Sequence, residues 1–384
     1  MPKQPVKIAA RDFAGASYRP NLLEVDLGAI TGNVTVLRRL VGPGTMLFGA
    51  VKANGYGFGL PAVASAMLAG GVDAFAMADP ADAIRIRDAG IEVPLLLYGG
   101  VMPERRVARL LSEYDLTCTI GDIEGAQAWS RIGIDIKAFL KIDVGLERLG
   151  APAEQALPFA AEATLLPHLR IGGIYTHLHG GESATYLSWQ LDRFDRALAQ
   201  LDEAAIEMPV RLAESSATLG LGQRSRLNAV DPGHLLYGLV PAGRTEAPSG
   251  IRPAAISLKT RIIQVKTLSR PGYPEGAPVT LHDGMRLAIL PLGRADGLSS
   301  LTTGQVLVRG HRVPIVGRMS LEHTRIDVTQ IPNCRAGDEV VVIGRQRQQE
   351  ISFDEVAARH GLDLLDLVLE SRPSIQRVYR HNTA

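Results

Sequence analysis

Short, uniformly apolar runs alternate with helix-like stretches along the chain from Met46 onward. The predicted strands are 46–53, 74–78, 94–100, 116–120, 136–145, 171–178 and 210–216, followed by a short element that ends near Val230. The predicted helices between them are 60–71, 80–90, 102–114, 122–133, about 153–165 and 188–205. Because the runs lack a period of two, they are typical of strands buried on both faces. Seven or eight strand–helix units fit an open doubly wound sheet or a closed (β/α)8 TIM-type barrel, and their number favours the barrel.

The rhythm changes after Arg252 and Pro253, where apolar runs follow one another with few helices between them. These runs are AISLKTRIIQVKTL, PVTLHDG, RLAILPLG, GQVLVRGHRVPIVG, HTRIDVTQI and DEVVVIG, separated by Gly, Pro, Asn and Asp. Such a pattern predicts a mainly antiparallel β-domain.

Helices are predicted late in this second part, at 352–361 and as a candidate at 364–371. Ser352 and Glu355 have the spacing of a capping box at the start of the first. The expected domains are a barrel at 22–252 and a β-domain at 253–384, with residues 1–21 a candidate for packing on the latter.

Composition excludes several classes of protein. The chain has 384 residues, more than one domain usually holds, and 41 basic against 40 acidic side chains give a net charge of +1. Such a chain has no general attraction for nucleic acid or an anionic membrane, and it contains no run long enough to span a bilayer and no secretory signal. Cys118 and Cys334 are too few for a disulfide framework or a zinc site, so the reducing cytoplasm is the expected compartment.

A lysine stands where a predicted strand meets a glycine-rich turn, in the segment AVKANGYGFG (50–59). Lys52 would lie at the C-terminal end of a barrel strand, the face on which such barrels carry their sites. An amine that is desolvated there forms a Schiff base with an aldehyde. On spacing alone, a solvated lysine before a flexible turn is an equally good interpretation.

This segment resembles the pyridoxal-phosphate attachment segment of the alanine racemase family, whose members pair a (β/α)8 barrel with a C-terminal β-domain. Further segments resemble that family in the same order along the chain: KIDVGLERLG (141–150), GIYTHL (173–178), ESSATL (214–219), PGHLLYG (232–238), LPLGRADG (290–297), VGRMSLEHTRIDV (316–328) and RVY (377–379). Each motif alone is of moderate specificity, whereas the ordered set, which covers residues 22–380, is a strong signal.

The resemblance implies a role for each matching position. Lys52 would carry the cofactor, pyridoxal 5'-phosphate, and act as a proton-transfer base. Arg148 would approach the phenolic oxygen of the cofactor and the substrate, with Lys141 in support, and His177 would lie against the pyridine ring. The other implied cofactor-binding residues are Tyr56, Ser215, Asp231, Gly233, His234 and Tyr237. Hydroxyls and backbone N–H groups among them suit a dianionic phosphate.

These residues also have plain structural interpretations. Lys141 and Arg148 could be an exposed basic pair, and Ser215 could simply end a strand. His177 and His179 alternate on a predicted strand and point the same way, like a metal pair. Two histidines without a third nearby ligand are weak evidence for zinc, so no metal is expected. The ordered set of motifs favours the cofactor site.

Two departures from the family fall on its chemistry. The family has a tyrosine, in G-Y-A-D-G, that reaches the partner subunit's site as the second base, and this chain has Arg294 there. An arginine is always protonated and cannot accept a proton. At the position of an arginine that faces the pyridine nitrogen, this chain has Asp231, and a carboxylate there favours the protonated ring. Arg224 or Arg226 is an alternative for that role if the loop is rearranged.

Three smaller departures accompany these two. Leu321 and Glu322 replace Met-Asp, Glu214 replaces the asparagine before the phosphate-binding serine, and Leu365 aligns with a late tyrosine that binds the phosphate. Together with Arg294, Leu321 and Glu322 are expected to contact the substrate, and a guanidinium suits a substrate with a second carboxylate.

The sequence therefore predicts an isomerase of amino-acid metabolism: a pyridoxal-phosphate-dependent racemase or epimerase with an altered site, acting at Cα of a small amino acid. The alternative is another pyridoxal-phosphate reaction on the same scaffold, such as that of an aldolase, dehydratase, decarboxylase or transaminase. A third interpretation is a cofactor-binding relative without turnover. The resemblance also implies a homodimer with shared active sites, and neither nucleic acid nor a membrane is an expected partner.

Overall fold

The computed structural model describes residues 18–179, 183–219, 226–240, 246–269, 281–298, 303–361, 364–371 and 374–381. These residues divide into two compact units. One comprises Asp26–Ala254, and the other comprises the described residues up to Val25 together with Ala255–Arg380. Most of the N-terminal segment considered for packing on the β-domain, residues 1–17, lies outside the described residues.

The first strand, β1 (Leu22–Asp26), belongs to the second unit, except for its last residue. It pairs antiparallel with a strand of that unit, with Leu23 opposite Leu258. The barrel expected from residue 22 thus begins at Asp26, whose carboxylate caps the first turn of helix α1 (Leu27–Val41). An apolar run shows that a strand is buried, but it does not show which sheet the strand joins, so the pattern could not place this boundary.

The first unit is a closed barrel of eight parallel strands within the described residues. Its strands, with a two-residue β7 beside the end of β6, are β2 (Met46–Ala50), β3 (Ala74–Met77), β4 (Leu95–Leu97), β5 (Leu116–Ile120), β6 (Ile136–Asp143), β7 (Ala151–Pro152), β8 (Leu169–Tyr175), β9 (Val210–Ser215) and β10 (Ala229–Asp231). Each strand pairs with the next around the ring, and β10 closes it on β2. The predicted (β/α)8 barrel is confirmed, and the open doubly wound sheet is excluded.

The barrel interior is filled by side chains from most of its strands. Its buried cluster consists of Phe48, Ala74, Ala76, Leu96, Phe139, Tyr175, Leu212 and Ala229. Gly173 makes room for the Phe139 ring, because a Cβ at this position would lie 3.0 Å from that ring and 2.7 Å from the Val210 carbonyl oxygen. The packed interior leaves only the rim at the strand ends for a site.

Helices cover the outside of the barrel. After α1 they are α2 (Lys52–Tyr56), α3 (Leu60–Gly70), α4 (Pro80–Asp88), α5 (Arg105–Glu113), α6 (Ile123–Arg131), α7 (Ala156–Ala163), α8 (Ala184–Glu203) and α9 (Gly233–Leu236), with a 3₁₀ turn at Ala153–Gln155. Side-chain oxygens of Asp79, Asp122 and Ser183 accept from backbone N–H groups at the starts of α4, α6 and α8. None of the described helices is long and apolar enough to cross a membrane.

The second unit is built from antiparallel strands. They are β11 (Ala255–Arg261), β12 (Gln264–Thr267), β13 (Arg286–Leu290), β14 (Gln305–Val308), β15 (His311–Pro314), β16 (Thr324–Asp327), β17 (Glu339–Gln346), β18 (Gln349–Ile351) and β19 (Gln376–Arg380). The main sheet has the order β15-β14-β17-β11-β1-β19, with β18 on β17, and a smaller sheet has the order β12-β13-β16. In the predicted strand PVTLHDG, residues 278–280 lie outside the described part, and 281–284 end in a turn.

Two helices, α10 (Phe353–His360) and α11 (Leu364–Glu370), precede the last strand. The Ser352 hydroxyl accepts from the Glu355 backbone N–H at 3.0 Å, which is half of the expected capping box. The other half is not formed, because the Glu355 carboxylate binds Arg312 and Arg359 instead. Charged partners outcompeted the backbone N–H group for this side chain.

Candidate active site

Lys52 follows β2 at the C-terminal face of the barrel and opens a left-handed turn. The φ angles of Ala53, Asn54, Gly55 and Tyr56 are 53°, 55°, 64° and 54°. Each such angle costs a residue other than glycine about 1–2 kcal/mol. The turn holds because its backbone N–H groups are bonded and because the Asn54 side chain accepts from the N–H that begins α3 at 3.1 Å. The expected strand 46–53 thus ends at Ala50, and the strained segment is a mark of a functional site.

The Lys52 amine lies between two aromatic rings. Its Nζ is 5.9 Å from the ring centroid of Tyr56 and 5.9 Å from that of Tyr98. Although the side chain is reachable from solvent, the surrounding protein lowers its pKa by desolvation. Asp231 opposes this effect and Arg148 adds to it. A lowered pKa provides the neutral amine that attacks an aldehyde.

Asp231 ends β10 and is 7% exposed. Its Oδ2 accepts a hydrogen bond from the Tyr98 hydroxyl at 2.7 Å. Burial raises the pKa of Asp231 to about 6, against the opposing effects of this bond and of the Lys52 and Lys141 amines. The carboxyl group thus lies in the same cluster as the two lysines.

Lys141 and Arg148 lie in and after β6, but they differ in burial. Lys141 is 4% exposed, its Nζ lies 4.1 Å above the Tyr175 ring, and burial lowers its pKa to about 8. Arg148 is exposed, in a loop organised by the Asp143 carboxylate, which accepts from three backbone N–H groups at 2.8–2.9 Å, including that of Arg148. An exposed basic pair does not describe the buried Lys141.

His177 follows β8 and is surrounded by cations. Burial is the main cause that lowers its pKa to about 3, and the charges of Lys141, Lys52 and Arg148 contribute in turn. The ring is therefore neutral at physiological pH. Among the described residues, no group of three His, Cys, Asp or Glu side chains is arranged to hold a metal ion.

The expected phosphate-binding residues meet at the start of α9. A Cβ at Gly233 would lie 2.4 Å from the Tyr56 hydroxyl oxygen, so only glycine leaves this space open. The Tyr56 ring stacks on Tyr237 at 4.6 Å and meets the His234 ring edge-on at 5.7 Å. A buried hydroxyl, a glycine cradle and nearby backbone N–H groups are a donor set that fits a phosphate.

Ser215 and Ser216, at the end of the neighbouring strand β9, lie beside these phosphate-binding candidates. The Ser216 hydroxyl accepts from the N–H of Leu235 in α9 at 3.1 Å, and it thereby joins the two segments. Ser215 is partly exposed, and its backbone N–H donates to the Thr218 hydroxyl at 3.0 Å. The side chain of Glu214, at the asparagine position, lies outside the described part.

A cavity of about 900 Å³ opens beside Lys141 and Arg148. The loops after β4, β5 and β6 and the helices α6 and α7 line it, with apolar walls at Met102, Leu149 and Phe159. The rim of the barrel therefore offers room for a molecule larger than a single small side chain.

The three residues that the sequence predicts to contact the substrate from the second domain, Arg294, Leu321 and Glu322, share one surface of the second unit. The backbone N–H of Arg294 donates to Ser320 O at 3.1 Å, and the next N–H donates to Leu321 O at 2.7 Å. A Cβ at Gly293 would lie 2.7 Å from Glu322 N, so a glycine is needed for this approach. The side chains of Arg294 and Glu322 are exposed, and Leu321 is 61% exposed.

Arg224 and Arg226 were the alternatives to Asp231 at the pyridine nitrogen, and Leu365 was the position of the late tyrosine. Arg226 forms ion pairs with Asp195 at 3.0 Å and Asp202 at 3.4 Å on α8, so its guanidinium is committed to that helix. Arg224 lies outside the described residues. Leu365 is a partly exposed residue of α11.

Sequence reasoning missed Tyr98, Tyr175 and Asp143, which hold Asp231, Lys141 and the Arg148 loop respectively. A signal for each was present, because all three lie in the C-terminal halves of predicted strands. Without the tertiary structure, the two tyrosines could not be told from core aromatics.

Comparisons with known proteins agree with this architecture. The family model for the alanine racemase N-terminal domain matches residues 25–241, and the model for the C-terminal domain matches residues 255–379. The alanine racemase of Desulfosudis oleivorans is 35% identical over 375 residues, which cover 93% of this chain and 95% of that protein.

Solved structures give the same result. Alanine racemase from Bacillus anthracis, with bound L-Ala-P, has a TM-score of 0.85 at 29% identity, covering 95% of this chain and 96% of that chain. A histidine racemase from Leuconostoc mesenteroides subsp. sake has a TM-score of 0.83 at 24% identity, covering 95% and 99%, a likeness that concerns the fold alone. Barrel, antiparallel domain and relatives define a racemase-like isomerase. The chain belongs to the alanine racemase family.

Proposed function

We propose that this protein is a pyridoxal-phosphate-dependent racemase or epimerase with an altered active site, acting at Cα of a small amino acid. One observation carries the proposal: the C-terminal rim of the barrel gathers Lys52, Lys141, Arg148, His177 and Asp231, whose charges act on one another. A cluster of groups with such perturbed pKa values is characteristic of active sites. The family is pyridoxal-phosphate-dependent, which supports the choice of cofactor.

The residues fit this cofactor at both ends. Lys52 would hold its aldehyde carbon, and Tyr56, Ser215 and the backbone of Gly233 and His234 would hold its phosphate. The space that Gly233 leaves beside the Tyr56 hydroxyl supports the latter assignment. When bound, pyridoxal phosphate supplies an electron sink that makes the substrate Cα–H acidic.

The chain's own side chains would orient the cofactor and the substrate and would transfer the Cα proton. The Lys52 amine accepts the Cα proton on one face, which its lowered pKa favours at neutral pH. Neutral His177 would pack against the pyridine ring without adding a positive charge. Arg148, carried by the Asp143-organised loop, would bind the phenolic oxygen and the substrate, with Lys141 in support.

The opposite face differs from that of the family. Arg294 cannot serve as a base, so we assign it to binding of a substrate carboxylate through its planar fork of donors. In a homodimer, Arg294, Leu321 and Glu322 of one subunit would reach the barrel of the other. The exposure of Leu321 on this surface fits coverage by a second subunit. The buried free thiols of Cys118 and Cys334 suit the reducing cytoplasm.

A second candidate is another pyridoxal-phosphate reaction on the same scaffold, such as transamination or decarboxylation. The Asp231 carboxylate favours it, because a carboxylate at the pyridine nitrogen stabilises the protonated ring and deepens the electron sink. An arginine at this position, as in the family, has the opposite effect.

Covalent labelling tests the cofactor assignment. The purified protein loaded with pyridoxal phosphate should absorb visible light, and borohydride should bleach this absorbance and fix the cofactor on Lys52. Lys137→Met is the matched control, since Lys137 is exposed and pairs with Asp115 at 2.6 Å. It should label normally, whereas Lys52→Met should not. Labelling of another lysine in the wild type would refute the proposal.

Product analysis in deuterium oxide tests the reaction. With a panel of L- and D-amino acids, a racemase incorporates deuterium at Cα with inversion. Deuterium without inversion indicates chemistry on one face. A ketone, amine or aldehyde product would establish the second candidate.

A further inference from the structure

A hydrogen bond crosses the mouth of the barrel between two strands that are not neighbours. Tyr98 directly follows β4 and Asp231 ends β10, and in the ring β3 and β2 separate these strands. The Tyr98 hydroxyl donates to Asp231 Oδ2 at 2.7 Å across 133 positions of sequence. Among the described residues, no other side chain donates a hydrogen bond to this carboxylate.

The Tyr98 side chain is held from several sides. Its backbone N–H donates to Met77 O at 2.8 Å, and its ring packs on Tyr175 with centroids 6.2 Å apart. Tyr175 is fixed in turn, because its hydroxyl lies 2.8 Å from the Thr119 hydroxyl, which donates to Leu97 O. The phenol therefore loses little conformational entropy when it binds the carboxylate.

The groups that act on the Asp231 carboxylate are one side-chain hydrogen-bond donor, two lysine charges and its own backbone N–H. Lys52 and Lys141 act on it through their charge, and Tyr98 acts by a direct hydrogen bond. Burial raises the pKa of Tyr98 well above its usual value, so the phenol stays protonated and remains a donor at every pH at which the protein works. A neutral donor to a carboxylate stabilises its ionised form.

We propose that Tyr98 is a positioning residue for Asp231: it holds Oδ2, keeps the buried carboxylate ionised, and thereby presents Oδ1 to the pyridine nitrogen of the cofactor. The last part rests on the proposed function. The first two parts concern the protein without cofactor and stand independently. In this chain, Tyr98 and Asp231 act together where the family it resembles relies on an arginine.

The test is a carboxyl titration of the cofactor-free protein. With aspartate labelled by ¹³C at the carboxyl carbon, the Asp231 signal is assigned by its loss in Asp231→Asn. Tyr98→Phe should raise the proton affinity of Asp231 about tenfold or more, because one hydrogen bond to the charged form is lost. Tyr175→Phe is the matched control, since it removes the neighbouring hydroxyl, which is bonded to Thr119, and should leave the Asp231 titration unchanged.

An unchanged titration in Tyr98→Phe, or an equal change in Tyr175→Phe, overturns the inference. Should Tyr98→Phe not fold, replacement of tyrosine by 3-fluorotyrosine strengthens the donor and should lower the proton affinity of Asp231; no change there contradicts the inference. The proposed function is tested separately by the pH dependence of the visible absorbance of the loaded protein. If Asp231→Asn leaves this dependence unaltered while Tyr98→Phe still shifts the cofactor-free titration, the link to the cofactor fails and the Tyr98–Asp231 coupling stands.

Discussion

Two buried carboxylates, one in each unit, both have a hydroxyl group and two basic side chains as neighbours, but their pKa values are shifted in opposite directions. Glu24 of β1 is 8% exposed and accepts hydrogen bonds from Ser257, from Lys259 at 2.7 Å and from Arg380 at 3.1 Å. Desolvation raises its pKa, but these partners outweigh the effect and lower it to about 2. Asp231 is 7% exposed and has one neutral donor, so burial prevails and raises its pKa to about 6.

The difference separates a structural ion cluster from a reactive one. In the second unit, cations touch the carboxylate and satisfy it, which stabilises the sheet. In the barrel, the lysines stay apart from the carboxylate and from each other, and each group keeps a perturbed pKa. Buried charges that lack a direct ion pair cost stability and are retained where chemistry requires them. Variants of the two clusters should therefore have different consequences.

The largest effect is expected for Lys52→Met, which removes the amine that holds the cofactor. Turnover should fall by about a thousandfold or more, because the proton-transfer group is lost as well. The melting temperature of the cofactor-free protein should not fall, since the amine makes no ion pair within 4 Å with any described residue. Steady-state kinetics and calorimetry measure both. Lys259→Met should have the opposite result, with turnover retained and stability reduced. If either variant changed turnover and stability together, the distinction between the two clusters would be wrong.

A smaller effect on stability is expected for Glu24→Gln, which should lower the free energy of unfolding by about 1–3 kcal/mol at neutral pH. Because the pKa of Glu24 is lowered, its contribution is complete above its ordinary value of 4.5 and is lost as the pH falls towards about 2. Denaturant titrations at several pH values should show the two proteins converging over this window. A difference that is constant down to pH 2 would mean that the charge of Glu24 is not what stabilises the sheet.

The smallest effect concerns His177, whose ring should not change its protonation state near neutral pH. Since burial and the neighbouring cations lower its pKa to about 3, the ring should stay neutral from about pH 5 to 8. The NMR signal of its ring carbon, assigned by His177→Gln, should not move in that range. A midpoint near 6.5 for His177 would show that the barrel cations do not act on it.

Much of the fold could be predicted from the sequence, because strand and helix patterns are local. Strand β5 matches its predicted bounds, Leu116–Ile120, and the predicted helix 60–71 exceeds α3 by one residue. Helix α1 was not anticipated: Gly28, Gly32 and β-branched residues weaken its helix propensity, and packing of its apolar face overrides that weakness.

The candidate site was predictable only where its residues stand in recognisable motifs. Lys52 is one such residue, since its strand end and glycine-rich turn are contiguous in sequence. Tyr98 is not, because its role depends on a partner 133 positions away. The same holds for the cluster around Glu24, whose partners come from β11 and β19. Long-range hydrogen bonds decide the protonation of buried groups, and no local pattern reveals them.

The most direct test of the contrast between the clusters is to titrate both carboxyl groups in one sample. Protein labelled with ¹³C at the side-chain carboxyl carbons of aspartate and glutamate is followed by NMR, with Asp231→Asn and Glu24→Gln as assignment controls. The expected midpoints are about 6 for Asp231 and about 2 for Glu24. The contrast between the clusters would be contradicted if Asp231 titrated at or below its ordinary 3.8, or if Glu24 titrated near 4.5.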